Sequence, residues 1–454
     1  MKHKKSTSAR EAALQALEVY RRCAHTNHRP VDFLHDLTAR SGLTDLDKSF
    51  AVQLLKGVLQ NLILCDYYVS EFSSIKISKI EPKVLDILRL SIYQLLCMSK
   101  VPHSAVVNEA VDIAKKKALT RSVAYINAVL RRFSAEVENG NVCVDKIKLE
   151  SDVKTLSVKY SHPEWVIKEY IDRLDITETE ALLSYNNAQS RPLYAQLNTL
   201  KTDMPGTLES LKAAGIKAKA HPWLDNCVEL HNPGDVTRLD AFRRGTFYIQ
   251  DPASKLAVLA AAPVPGNIII DACASPGGKS FCASIHMHNK GEIIAADIGQ
   301  SKLNLISDGS RRLGLDSVKP RHIDASVYNG DLKERADIVF ADLPCSGFGV
   351  IHKKPEIRYK DKESIRKLSH IQKQILLNLA HYVKPGGILL YSTCTVFKSE
   401  NEDVIAAFLE QRCDFIKSSF TLQNIGVASS GDITLWPHRY KTDGFYICKM
   451  QKTH

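Results

Sequence analysis

Two segments of this chain each carry a thiol beside other polar groups at the end of an apolar run. Asp342-Leu343-Pro344-Cys345-Ser346-Gly347 completes and follows the run 336–342, and Ser392-Thr393-Cys394-Thr395 closes the run 388–393. The first delivers a carboxylate, a thiol and a hydroxyl together, with Pro344 restricting the backbone between them. A free cysteine is commonly a small buried hydrophobe. That is how we read Cys65, Cys97 and Cys448, and we give no function to Cys23, Cys143, Cys227, Cys282 or Cys413. Two thiols brought to strand ends on one sheet edge suit covalent catalysis with an acid–base partner better than packing. Spacing leaves open which thiol attacks.

A third constellation, Asp271-Ala-Cys-Ala-Ser-Pro-Gly-Gly-Lys279, lies where the apolar strand 267–271 gives way to a helix over 277–288. Adjacent glycines let the backbone turn sharply against a ligand, and the helix start offers unpaired N–H groups. Asp297 ends the next strand, 292–297, where an acid accepts hydrogen bonds from ribose hydroxyls; the plainer reading is a turn acid. The spacing Gly-x-Gly-x-x-Gly is missing, so a nucleoside-bearing cofactor other than a nicotinamide dinucleotide fits better.

Behind these residues stand alternating strands and helices: helix 300–313, strand 336–342, helix 362–383 and strand 388–393. That order predicts a doubly wound, mainly parallel sheet over 246–454, with ligands at the strands' carboxyl ends. Upstream, residues 8–133 place apolar side chains on helical stripes, predicting an all-α domain within 1–140. Residues 134–155 read as a linker. A helical stretch 163–186, strands at 193–199, 216–221 and 226–230 and a helix at 206–214 predict a small α/β, RRM-like connecting domain over 150–245.

The 454 residues carry a formal net charge of +11. Residues 1–140 hold 21 Lys/Arg against 14 Asp/Glu, an excess of seven, which fits either a nucleic-acid partner or a merely basic surface. No window reaches the roughly 18 apolar residues of a membrane span, and the basic start lacks a secretory apolar region. Eleven scattered cysteines without a Cys-x-x-Cys pair predict a reduced, cytoplasmic setting and no metal site. A monomer is expected.

Together the three motifs resemble the RNA cytosine-5 methyltransferases of the NOL1/NOP2/Sun family. Gln250-Asp251-Pro252-Ala253-Ser254 is similar to the family's segment before the glycine turn, and Ile351–Lys360 to its basic stretch after Pro-Cys. This resemblance spans about 150–454. Residues 8–133 resemble a NusB-type RNA-binding domain, with Lys56-Gly-Val-Leu-Gln-Asn61 and Val106-Val-Asn-Glu-Ala110 in matching places. The combination is similar to bacterial members that act on 16S ribosomal RNA.

The resemblance implies a Rossmann-like class I methyltransferase domain, S-adenosylmethionine as donor and a ribosomal RNA cytosine as acceptor. It implies Cys394 as nucleophile, Cys345 as the thiol assisting release, and cofactor contacts from Cys273, Ala274, Ser275, Pro276, Gly277, Gly278, Lys279, Asp297, Asp324 and Asp342. Carbon 5 of cytosine is a weak nucleophile, and a thiolate adding at carbon 6 makes it enamine-like. Asp342 would aid addition at the ring's N3. DNA cytosine-5 methyltransferases use a Pro-Cys thiol, so reversed cysteine roles are the competing assignment. The chain departs from the family's usual pattern with Ser275 for Ala, Thr395 for Ser and Leu343 for Ala, which casts little doubt on the chemistry. Lys353, Lys354, Arg358 and Lys360 are expected to hold RNA phosphates, the alternative being a solvated charge run. The target base must leave its stack, so a single-stranded or loop cytosine is expected. A non-catalytic RNA scaffold would leave both thiols and the glycine turn idle. An amino-group methyltransferase would show Asn/Asp-Pro-Pro-aromatic instead.

Overall fold

In the structure, a computed structural model, residues 8–22, 30–39, 41–188 and 191–453 are described; the basic start at 1–7 and Cys23 lie outside them. Two compact units emerge, one of residues 1–187 with 352–360, the other of 188–351 with 361–454. The span 150–245 read as a connecting domain is therefore shared between them.

In the first unit the apolar stripes form helices Ala9–Arg22, Pro30–Ala39, Asp45–Gln60, Leu62–Phe72, Pro82–Cys97, His103–Lys116 and Val123–Glu138. Leu14, Leu54, Leu88 and Leu130 meet in their common core. Helices Asp152–Tyr160, Glu164–Ile171 and Ile176–Asn187 follow. Cys65 is buried as expected, but Cys97, at a helix end, is exposed as a residue. Desolvation still pushes its thiol up to about 11.

Arg358 requires a correction. It is wholly buried in this unit, donating to the main-chain oxygens of Gln60 at 2.9 Å, Tyr160 at 3.3 Å, Ser161 at 3.5 Å and Asn186 at 3.4 Å, and to Asn187 Oδ1 at 2.7 Å. Gln60, Tyr160 and Asn186 stand at the ends of three helices. The last carbonyls of a helix lack internal donors and carry the negative end of its dipole, so one planar cation satisfies all three ends. Its donors face protein carbonyls rather than phosphates. Lys353 and Lys360, by contrast, are exposed, and Lys354 is half-buried.

The second unit holds two main sheets. Strands β1 (Leu193–Leu197), β2 (Lys217–Ala220), β3 (Cys227–His231) and β4 (Phe247–Ile249) form an antiparallel sheet in the order β2-β3-β1-β4. β4 falls beyond the boundary expected at 245; its pairing with β1 draws it into the smaller sheet. The larger sheet contains β5 (Ile268–Asp271), β6 (Glu292–Asp297), β7 (Val318–His322), β8 (Ala336–Asp342), β9 (Val383–Thr393) and β10 (Phe415–Lys417). β11 (Phe420–Leu422) and β12 (Val427–Ser429) pair separately, while β13 (Asp432–Leu435) and β14 (Phe445–Lys452) return to the larger sheet. Its order is β10-β14-β9-β8-β5-β6-β7, with β13 also on β14. The pairs among β5 to β9 are parallel, and β14 runs antiparallel to β9. This is the doubly wound arrangement the alternation predicts, with an antiparallel edge added at the C-terminal side.

The sheets are locked together by Asn198, fully buried, which donates to Gly245 O at 3.1 Å and Leu313 O at 2.8 Å. Arg312 adds bonds to the carbonyls of Phe242 at 2.6 Å and Phe247 at 3.0 Å. Among the described residues, no helix is long and apolar enough to cross a membrane.

Candidate active site

β8 and β9 run parallel with Asp342 opposite Ser392. Cys345 lies three residues beyond the first of this pair and Cys394 two beyond the second, so the register alone carries both thiols to one carboxyl edge. Their sulfurs stand 3.0 Å apart, both residues half-buried. The turns approach closely at Gly349, whose N–H donates to Cys394 O at 2.9 Å and whose carbonyl accepts from Gly444 N at 2.9 Å. A Cβ there would sit 1.8 Å from Gly444 O, so only glycine fits.

Asp342 joins this pair to the glycine turn. Its Oδ2 meets Lys279 Nζ at 2.5 Å and its Oδ1 accepts from Ser392 Oγ at 2.8 Å. Lys279 is buried and also lies 5.0 Å from the Phe445 ring centroid, so it is a fixed counter-charge. The turn itself needs Gly277: its φ is 109°, and a Cβ would lie 2.3 Å from the Phe281 ring. Ala274 N–H donates to Ala296 O at 2.9 Å, holding the turn to the end of β6. Pro276 is exposed, while Cys273 and Ser275 are half-buried. Burial pushes the Cys273 thiol up to about 12, so it stays neutral and lines the site.

Asp297, at the end of β6, is buried; its Oδ1 accepts from Gly299 N at 3.2 Å and pairs with Lys302 Nζ at 3.2 Å. Asp324 follows β7 and is exposed. Bonds from the Ser326 hydroxyl and N–H hold its carboxyl below the usual range. Ile323 N–H donates to Asp297 O at 3.3 Å, so these two acids flank one edge of the sheet.

The hydrogen bond to Cys394 first, then burial, and then the nearby charges of Glu400 and Asp342 push the Cys345 thiol well up from its ordinary value. Cys345 is thereby kept protonated beside the other sulfur.

Several residues whose roles the sequence does not indicate stand in this site. Asp271 reads in the sequence only as the first residue of the glycine turn, yet it is buried, accepts from Ser280 Oγ at 2.7 Å through Oδ2, and has no hydrogen-bond partner at Oδ1. Ser392, Ser346, Glu400 and Gln372 carry the bonds that fix the two thiol turns. One hydroxyl residue directly after each cysteine, Ser346 and Thr395, was the available signal. Among the described residues, no group of three or more His, Cys, Asp or Glu is placed to hold a metal ion.

Comparison with known proteins agrees with this architecture. The family model described as 16S rRNA methyltransferase RsmB/F matches residues 258–451, that of the NusB family matches 7–135, and that of the RsmF/B-like ferredoxin-like domain matches 162–237. The Bacillus subtilis protein named "Probable ribosomal RNA small subunit methyltransferase B" is 34% identical over 99% of both chains. "Ribosomal RNA small subunit methyltransferase B" of Salmonella typhi is 28% identical over 99% of this chain and 100% of its own. The crystal structure of PH0851 superposes with a TM-score of 0.78 at 25% identity, covering 98% of each chain. Identity of this extent over nearly the full length of both proteins establishes that the chain belongs to the ribosomal RNA small subunit methyltransferase B family.

Proposed function

We propose that this protein transfers a methyl group from S-adenosylmethionine to carbon 5 of a cytosine in 16S ribosomal RNA through a covalent bond between Cys394 and carbon 6. The reading is carried by two half-buried sulfurs 3.0 Å apart at the edge where Asp342 and the glycine turn converge. Methylating an amine or hydroxyl needs no thiol, whereas carbon 5 becomes nucleophilic only after a nucleophile has added at carbon 6.

The residues divide the work as follows. The Cys394 sulfur adds to carbon 6, and the displaced π electrons make carbon 5 nucleophilic. Asp342, held by Lys279 and Ser392, serves the N3 edge of the pyrimidine, where hydrogen bonding favours addition. S-adenosylmethionine supplies the electrophilic methyl group. Cys345 then takes the proton from carbon 5; the C–H electrons re-form the C5–C6 double bond and expel Cys394 as thiolate. Once Cys394 is a thioether, the hydrogen bond that raises Cys345 most is gone; Cys345 gives its own proton to water, and its thiolate accepts the proton from carbon 5.

The residues around the glycine turn fit the donor. Asp271 Oδ1, buried and unpartnered, suits the ammonium of its amino-acid end. Asp297 suits the ribose hydroxyls, and Ile298, 59% exposed beside it, offers an apolar surface to a purine. Asp324 is proposed to line the same end. Lys353, Lys354 and Lys360 are proposed to contact RNA phosphates, and the acceptor cytosine is proposed to be an unstacked one in a loop.

With ribosomal RNA carrying tritium at cytosine carbon 5, tritium is expected to appear in water in step with methyl transfer, one for one. Methylated product without tritium release overturns the carbon-5 reading.

A second outcome concerns the donor. Burial, partly offset by the Ser280 hydroxyl and Lys279, pushes the Asp271 carboxyl up to about 6. Only its ionised form pairs with an ammonium, so S-adenosylmethionine affinity rises as pH climbs through that value. Calorimetry should find it about tenfold weaker at pH 5 than at pH 7. Asp271→Asn flattens the profile; a flat wild-type profile removes Asp271 from the donor site. In the absence of donor the sign reverses: a raised carboxyl stabilises the fold while neutral, and this share is lost as pH rises through about 6.

A further inference from the structure

Glu400 is a fully buried carboxylate that no step above uses. It lies in the short turn Lys398–Glu400 after β9. Its Oε1 accepts from Ser346 N at 2.8 Å and Gln372 Nε2 at 3.0 Å, and its Oε2 accepts from the Ser346 hydroxyl. Ser346 immediately follows Cys345, and Gln372 also donates to Pro344 O at 2.9 Å, so one carboxylate grips the Cys345 turn from both sides. The Ser346 hydroxyl stands 3.0 Å from that of Thr395, which immediately follows Cys394. Asn401 completes the link, accepting from Thr393 Oγ1 at 2.6 Å and donating to Thr395 O at 3.1 Å. The main-chain oxygen of Glu400 accepts from Tyr391 on β9.

A buried carboxylate is costly unless its oxygens are satisfied. Desolvation raises this one, while the Ser346, Gln372 and Thr395 bonds work in the opposite direction. If the turns needed only to be joined, a neutral amide or an apolar contact would do so without that cost. What a charge adds is its effect on the neighbouring sulfur: Glu400 is among the groups that hold Cys345 in the thiol form.

We propose that Glu400 is a positioning residue, whose buried carboxylate ties the Cys345 turn to the Cys394 turn and keeps the two sulfurs in contact. The proposal deepens the two-thiol mechanism and rests on it. In Glu400→Gln the shape is kept, but the charge and one acceptor are lost, leaving an amide N–H facing a donor.

Turnover of Glu400→Gln is expected to fall about 10- to 100-fold, with the KM for RNA and for S-adenosylmethionine within about twofold of wild type. In the free protein, the pH midpoint for iodoacetamide alkylation of Cys345, followed by mass spectrometry of its peptide, is expected to shift downward. A purely structural residue moves stability but neither the kcat-against-KM split nor this midpoint. Turnover within about twofold of wild type, or an unmoved midpoint, overturns the proposal. If Glu400→Gln is insoluble, Ser346→Ala removes one hydroxyl bond and keeps the charge. It should lower kcat with KM unchanged, and an unchanged kcat overturns the clamp. The alkylation arm uses no RNA, so it judges Glu400 even if wild-type enzyme releases no carbon-5 tritium, a result that counts against the mechanism instead.

Discussion

Cys394→Ala is expected to abolish methyl transfer and to leave no covalent RNA complex, whereas Cys345→Ala accumulates a complex that survives denaturant. The asymmetry follows from the site. Cys345 is held protonated, first by its bond to Cys394 and then by burial, which suits the proposed division with Cys394 as the attacking sulfur. Removing the attacking sulfur removes the enamine-like carbon 5, and the loss should be about 10⁴-fold or more, as for other nucleophiles working in a unit. Removing Cys345 spares addition and methylation but leaves the carbon-5 proton without its base, so Cys394 cannot be expelled. Gel electrophoresis of denatured enzyme with labelled RNA reads both variants. A stable complex from Cys394→Ala, with none from Cys345→Ala, reverses the roles to those of the DNA enzymes that attack through a Pro-Cys thiol.

The parts of this site legible in the sequence are those with local causes. Apolar runs ending in polar residues mark β5, β6 and β8 almost to the residue, and the carboxyl end of β9, because a buried parallel strand must be apolar along its length and its ligand end must not be; β9 itself starts five residues before the expected 388, at Val383. Two adjacent glycines after Pro276 mark the turn because side chains are excluded there, and the value of φ at Gly277 shows why. What the sequence hides depends on partners distant along the chain. Nothing near Glu400 says that it will be buried under Ser346, 54 residues earlier. Asp271 reads as a strand-end acid until its second oxygen is found without a partner. β4 falls on the far side of the expected boundary because its three residues are decided by pairing with β1 rather than by any local pattern. Cys97 has an apolar neighbourhood in sequence, and its thiol is desolvated as that implies, but it occupies the last position of its helix, where the rest of the residue is exposed.

Arg358 is hidden for the same reason, and its burial has a measurable consequence. Within Lys353, Lys354, Arg358 and Lys360 the four cations look alike, since charge patterning reports type but not burial. Arg358→Met removes every donor from a fully buried position while keeping much of the volume. The oxygens of Gln60, Tyr160, Ser161, Asn186 and Asn187 then lose a cation that took the place of water. Leaving buried acceptors unmet costs about 1–3 kcal/mol each, and relaxation recovers part, so a net loss of about 3–5 kcal/mol is expected. In a thermal melt followed by circular dichroism this corresponds to a fall of roughly 10 °C for a unit of this size. Replacing Lys353, Lys354 and Lys360 together with Gln should leave the melt close to wild type. It should instead flatten the salt dependence of RNA binding by up to ~0.7 in log–log slope for each phosphate no longer neutralised. A variant Arg358→Met that melts with wild type but binds RNA with a reduced slope would return this guanidinium to the phosphates. The opposite pattern, an early melt for the arginine and a changed slope for the lysines, separates one cation that caps helices from three that face the RNA.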